Sequence, residues 1–263
     1  MITIATCTTI AAILAAANPG DAVQLTGTCP TITISRTYVP PLPIDASAAT
    51  VAGLVITGGG VGWTGGGITA GPLGYGARLL RATNVTLSQI LFTGAGRAVV
   101  IDHSSDIVIS GNRLSEMTID GIDVASSQRV TIDRNVCVSF STGLAHPDCF
   151  QLWTRAGNPM SDVTITGNVA IGRLQGVSLF NHIERIPPDP GFDRITITGN
   201  IVRNLYPQGI AVMDCRNCTV TGNDARSLPG APFRTSINVA RTTGKVCGNV
   251  SDLVTATLAA GVC

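Results

Sequence analysis

The sequence predicts an all-β solenoid, in which short parallel strands wind into coils stacked one on another and a short helix covers one end. Three observations predict it. First, a β-branched segment ending in asparagine recurs: Ile107-Val-Ile-Ser-Gly-Asn112, Val130-Thr-Ile-Asp-Arg-Asn135, Val163-Thr-Ile-Thr-Gly-Asn168, Ile195-Thr-Ile-Thr-Gly-Asn200 and Cys218-Thr-Val-Thr-Gly-Asn223, then a shortened Lys245-Val-Cys-Gly-Asn249. An earlier copy, Val85-Thr-Leu-Ser-Gln-Ile90, lacks the asparagine. Second, successive asparagines lie 23, 33, 32, 23 and 26 residues apart, near the length of one solenoid coil. Third, charged residues make up only 13% of the chain while Val, Ile and Thr dominate the repeats and glycine occurs 30 times. That composition suits strands buried in a stack and joined by tight corners.

At the N-terminus, residues 7–17 are Ala-rich and read as a short helix stopped by Asn18-Pro19-Gly20-Asp21. The alternating strand Ala22–Thr28 follows. Residues 1–30 are thus expected to form a cap over the open end of the stack, which otherwise exposes apolar surface and unpaired strand edges. Residues 36–80, with Pro40, Pro41, Pro43 and the Gly-rich run 58–67, are expected to form looser first coils, and regular coils to run over 84–250. A continuous repeat argues for one elongated domain over residues 1–263.

A net charge of +1, with neither a basic run nor aromatic RNA-binding signatures, gives no case for nucleic acid. The sequence holds no uninterrupted apolar stretch of membrane-spanning length. Eight cysteines point to a secreted or periplasmic location. Met1 leads straight into Ile2-Thr-Ile-Ala-Thr-Cys7 without a basic region, so a signal peptide is not present in this chain. Plausible pairs are Cys7 with Cys29, Cys137 with Cys149, Cys215 with Cys218 and Cys247 with Cys263, although spacing does not fix them. The Cys215–Cys218 spacing also fits a redox or zinc motif, but no second Cys/His pair stands at zinc spacing, which favours a local disulfide or free thiols.

Each coil carries a second strand, and these align as Arg97–Asp102, Asp120–Ala125, Asp148–Trp153, Gln175–Phe180, Gln208–Met213 and Thr235–Ala240. Positions three and five are always apolar, so alternation places them inside and positions two, four and six outside. Parallel neighbours stand about 4.8 Å apart, which stacks Asp120 on Asp148 and Asp123 on Gln151. Like charges so close raise at least one pKa unless a cation intervenes. A Ca²⁺ held by Asp120, Asp123 and Asp148 is one such cation; the plain alternative is a polar face that keeps the sheet soluble. The two coils ten residues longer than their neighbours place the surplus in 137–147, 154–161 and 182–193, which would wall a groove beside Asp148, Gln151 and Trp153. His146, beside these carboxylates, is the strongest of three histidines as a catalytic group; His182 begins the next wall, and His103 is weaker. Trp153 stacked on Phe180 offers a platform for a sugar ring or simple packing under the loops. Arg155, Arg173 and Gln175 are further candidates for substrate contact.

A helical cap followed by coils ending in Thr-Gly-Asn resembles the right-handed parallel β-helix (pectate-lyase-like) superfamily over nearly the whole chain. The resemblance implies that Asn112, Asn135, Asn168, Asn200 and Asn223 form an internal ladder. His146-x-Asp148-x-x-Gln151 also resembles motifs of bacterial polysaccharide lyases and mannuronan C5-epimerases. The epimerase Asp-Pro-His-Asp is replaced by His146-Pro147-Asp148, and the paired Asp-Asp and Gly-His-Gly of polygalacturonase-like hydrolases are absent. The expected function is therefore lyase or C5-epimerase action on a uronate-containing polysaccharide, with His146, Asp148, Asp123 and Asp120 catalytic and Gln151, Trp153, Arg155, Arg173, Gln175, Phe180 and His182 binding substrate. The alternatives are a glycoside hydrolase using two of the aspartates, or a non-catalytic polysaccharide-binding or adhesion solenoid. The single lysine, Lys245 in the last coil, argues against a lysine base.

Overall fold

A computed structural model describes residues 1–141, 146–180 and 189–258. Three columns of parallel strands build a solenoid of about ten coils. The first sheet has ten strands, from Ile32–Ile34 to Leu253–Leu258, and carries the aligned segments described above. The second column holds the β-branched repeats, such as Ser105–Ser110 and Gln128–Asp133, and the third holds shorter strands such as Arg113–Ser115 and Val136–Val138. Register is kept across the long coils: Val130 pairs with Val163 and Val163 with Ile195. Among the described extra residues, 154–159 lie outside the paired strands of the stack.

The repeat asparagines turn inward at the corner between the second and third columns. Asn135 Nδ2 donates to Ile109 O and to Asn168 Oδ1, whose oxygen also accepts from the Asn135 backbone N–H at 2.8 Å. The same pattern runs from Asn112 to Asn223 and continues onto Asn249, the shortened copy. Each side chain satisfies buried backbone groups that the corner takes out of the sheet ladders. The residue before the asparagine is left-handed, with φ near +63° at Gly111, Gly167, Gly199 and Gly222, which explains the glycine in Thr-Gly-Asn.

Several expectations change. The helix covers only Ile10–Ala16, and Ile2–Thr6 before it is a strand paired with Ala22–Thr26. The helix packs Ile10 and Leu14 against the stack, and Tyr38 Oη and Arg36 Nη1 donate to the carbonyls of Leu14 and Ala15 at its C-terminal end. Residues 36–80 carry paired strands, with one register shift between Thr37 and Leu42: Val61 pairs with Leu42 and Val85, and Ala77 with Leu54 and Val99. The prolines are accommodated along Thr37–Val51. Disulfides join Cys7 to Cys29, Cys137 to Cys149 and Cys215 to Cys218; the proposed partner of Cys247, Cys263, lies outside the described residues. Among the described residues no helix is long and apolar enough to cross a membrane.

Position two of the first-sheet strands points inward, not outward. A Cβ on Gly121 would meet the Leu114 side chain at 3.1 Å and one on Gly176 the Val202 side chain at 2.5 Å, while Cys149 is fully buried in its disulfide. The chain is turning the corner there, so alternation starts only at position three; the pairing likewise runs from Arg97–Asp120 directly to Val99–Ile122.

Candidate functional site

The corner bend gathers the carboxylates. Position one, before the bend, and position four, on the outer face, come from adjacent coils and converge on one cluster. Arg97 lies at its centre: its Nε contacts Asp123 Oδ2 and stands 3.5 Å from Asp120 Oδ2. Asp120 Oδ1 accepts the backbone N–H of Asp148 at 2.9 Å, and Ser178 Oγ lies 2.7 Å from Asp148 Oδ1. Asp120, Asp123 and Asp148 are all buried, Asp148 completely. Asp123 Oδ1 and Asp148 Oδ2 are buried without any hydrogen-bond partner. Native proteins rarely leave such acceptors orphaned, so these two atoms mark where a proton or ligand completes the site.

Burial is the main cause of raised pKa values at all three carboxyls. Asp123 is pushed up to about 7, by burial first and then by Asp120, against the pull of Arg97. Asp148 is pushed up to about 8 by burial, with Asp120 and Asp123 adding to the rise and the Ser178 hydrogen bond opposing it. Asp120 also moves up, but the Asp148 N–H, Arg97 and His146 hold it back. Asp123 and Asp148 therefore hold their protons far above the usual carboxylate range, and Asp120 shifts in the same direction.

A cleft of about 230 Å³ opens beside the cluster, lined by Tyr75, Arg78, Arg97, Asp102, Asp123, Trp153 and Arg155 among others. It crosses four consecutive coils and lies toward the N-terminal side of the groove expected from the long loops. Arg78 stacks on the Tyr75 ring at 4.8 Å, and its Nε is buried without an acceptor. Arg78, Tyr75, Arg97 and Ser178 were missed in the sequence. Arg97 was findable, since it occupies position one directly before Asp120.

The remaining candidates distribute as follows. His146 is exposed above the cluster, with Nδ1 at 3.9 Å from Asp148 Oδ2. Gln151 pairs with Asp123 and Ser178 on position four, and Trp153 pairs with Phe180 on position six, both half-buried. Arg155 is exposed at the cleft, whereas Arg173 is exposed at the corner two residues before Gln175 and does not line the cleft. Gln175, expected at the substrate surface, is buried instead and turns its Oε1 to Ser178 at 3.1 Å. His182 lies outside the described residues, as do parts of two expected walls at 142–145 and 181–188. His103 pairs with Asp102 at 2.8 Å, away from the carboxylates of the cluster.

A Ca²⁺ site on Asp120, Asp123 and Asp148 does not fit. Among the described residues no three His, Cys, Asp or Glu side chains are placed to hold a metal ion. Ca²⁺ requires six to eight oxygens, but the Arg97 guanidinium already stands between Asp120 and Asp123, and Asp120 Oδ1 and Asp148 Oδ1 are committed to other donors.

The fold defines a parallel β-helix with a polar cleft on its first sheet. The model of the right-handed β-helix region matches residues 51–182, half of the chain, and the chain belongs to that family. A search of curated protein sequences gave no match. Among solved structures, the chain is similar to an alginate lyase from Paenibacillus sp. str. FPU-7 (TM-score 0.58, 18% identity, covering 97% of this chain and 99% of that one). It is also similar to the Dettilon tailspike protein (TM-score 0.52, 17% identity, 90% of this chain and 57% of that one). Pectate lyase Pel9A is a third (TM-score 0.51, 14% identity, 94% and 73%).

Proposed function

We propose that this protein is a secreted carbohydrate-active enzyme that acts as a lyase or C5-epimerase on a uronate-containing polysaccharide bound in the first-sheet cleft. The observation that carries this reading is the convergence of Arg78, Arg97 and Arg155 on one cleft with Trp153, directly beside buried, proton-retaining carboxyls. A uronate carboxylate facing those guanidinium groups has its charge neutralised, which makes the adjacent C5–H acidic. His146 is the base in this reading: it takes the C5 proton while Asp148 lies behind its imidazole. In elimination, the C5–H electron pair forms the C4–C5 double bond as the bond from C4 to the glycosidic oxygen breaks. Asp123, the cluster member that reaches the cleft, protonates that departing oxygen. In epimerisation the C4–O bond stays intact: the C5–H electron pair is held as the enolate of the neutralised carboxylate, and a solvent-derived proton returns to C5 on the opposite face. The fold shared with an alginate lyase and a pectate lyase supports the class of substrate, and three disulfides support export.

A second reading is favoured by one feature, two raised carboxyls, Asp123 and Asp148, packed against a third, Asp120, whose rise Arg97 and the Asp148 N–H oppose. A neutral acid beside an ionised carboxylate is the pairing of a glycoside hydrolase. Incubation with homopolymers of different uronic acids separates the two. Ultraviolet absorbance of an unsaturated uronate, or inversion at C5 seen by NMR, is expected; new reducing ends without that absorbance would establish the hydrolase. Alanine at His146 or Asp148 is expected to lower turnover by on the order of 10²-fold or more, and full activity in both variants would remove these residues from the mechanism.

A further inference from the structure

Ser178 sits between two acceptors and has one proton to give. Its Oγ lies 2.7 Å from Asp148 Oδ1 and 3.1 Å from Gln175 Oε1, and all three side chains are buried. A hydroxyl donates one hydrogen bond and accepts two. If Ser178 donates to Gln175 Oε1, then Asp148 Oδ1 must carry a proton to bond Ser178. If Ser178 donates to an ionised Asp148, then Gln175 must turn its amide by half a rotation and offer Nε2–H to Ser178. The two arrangements are each complete, and they differ by one proton on Asp148 and one amide rotation.

We propose that Ser178 and Gln175 are positioning residues that decide whether Asp148 holds its proton, fixing that proton on Oδ1 and turning Oδ2 toward the groove as the acceptor for His146. In the arrangement with Gln175 Oε1 on Ser178, Asp148 is the neutral acid. Its Oδ2, buried and unpartnered, faces His146 Nδ1 across 3.9 Å. The charged groups that face Asp148 are Asp120 and Asp123 from the preceding coil, Arg97 beyond them, and His146 on its own strand approach. Among the described residues, the polar side chains that meet Asp148 from the following coil are the uncharged Gln175, its strand partner, and Ser178. Polar control of Asp148 from that side therefore falls to the Ser178–Gln175 pair. The role assigned to His146 rests on the lyase or epimerase reading; the control of the Asp148 proton does not.

The test is direct titration of Asp148 by carboxyl ¹³C NMR in the folded wild type, Ser178→Ala and Gln175→Met. Ser178→Ala removes the donor to the ionised form, so the Asp148 midpoint is expected to move up by on the order of one pH unit. Gln175→Met removes the competing acceptor and frees the Ser178 proton for Asp148, so the midpoint is expected to move down. Ser178→Thr keeps the hydroxyl and is expected to restore the wild-type midpoint. Opposite displacements with Thr rescue establish the proposal. Unchanged midpoints, or both moving the same way, overturn it whatever the enzyme's activity. Displacements of the expected sign with no action on any uronate polymer would leave this proposal standing and remove the lyase or epimerase reading. Where the polymer is turned over, the pH profile of kcat is expected to follow the same displacements.

Discussion

Asp148 illustrates how a single buried carboxyl links stability to function. Its ordinary value of 3.8 is raised to about 8 in the folded chain. An acid whose folded value lies above its unfolded value binds more protons when folded throughout that interval, so stability falls as pH rises. The contribution is fully present below about pH 4 and is lost by the time pH passes the folded value; Asp123, raised to about 7, acts in the same direction. The chain is therefore expected to melt at progressively lower temperature between about pH 5 and about pH 9. Asp148→Asn mimics the neutral acid, so its Tm should match the wild type at the acid end and exceed it by several degrees at the alkaline end. Calorimetry across that range checks both. A wild-type Tm that rises with pH while Asp148→Asn stays level would mean that Asp148 folds as a carboxylate.

At the scale of the element, the asparagine corner is the chief fixed point. Asn168 donates to Ile132 O and Asn200 Oδ1 and accepts from both Asn135 nitrogens. Asn168→Ala would orphan the buried Asn135 N–H and the Ile132 carbonyl, each at about 1–3 kcal/mol. A loss of roughly 2–5 kcal/mol in urea unfolding is expected, against little change for Asn158→Ala, whose side chain makes only a long bond to its own loop. These corners were legible because asparagine recurs in six successive coils from Asn112 to Asn249, and from them the pairings Asp123–Gln151 and Trp153–Phe180 followed. The inward turn at position two was not legible, since Gly121, Cys149 and Gly176 carry no polarity to betray the face they occupy. Burial of Gln175 and Ser178 was hidden for another reason. Outward columns are exposed in a bare sheet, and their covering here depends on neighbouring coils that periodicity does not describe. Tyr75 and Arg78 escaped because the proline and glycine run before them disguised strands whose register is continuous with the later coils.

On the scale of the whole molecule, stacking converts sequence distance into a ruler along the groove. Tyr75 and Arg155 are eighty residues apart in the chain, yet the strand of Tyr75 and the strand that ends at Trp153, two residues before Arg155, are three steps apart on the first sheet, about 14 Å at the spacing of parallel strands. Arg78, Arg97 and Arg155 mark the two ends and an intermediate point of that span, so the proposed uronate chain reaches all three only by extending along the stack. Affinity for uronate oligomers is accordingly expected to rise with length until the chain covers the cleft and then level off. Binding is also expected to weaken with added salt, because exposed Arg155 and half-buried Arg78 act through partly screened charge. Trp153 lies within the cleft, so its fluorescence provides the titration signal. Arg78→Ala and Arg155→Ala should each weaken the long oligomer by roughly 10-fold, while leaving the affinity for the monosaccharide little changed. Equal affinity for monomer and oligomer, or insensitivity to both arginine substitutions, would place the polymer on another face of the solenoid.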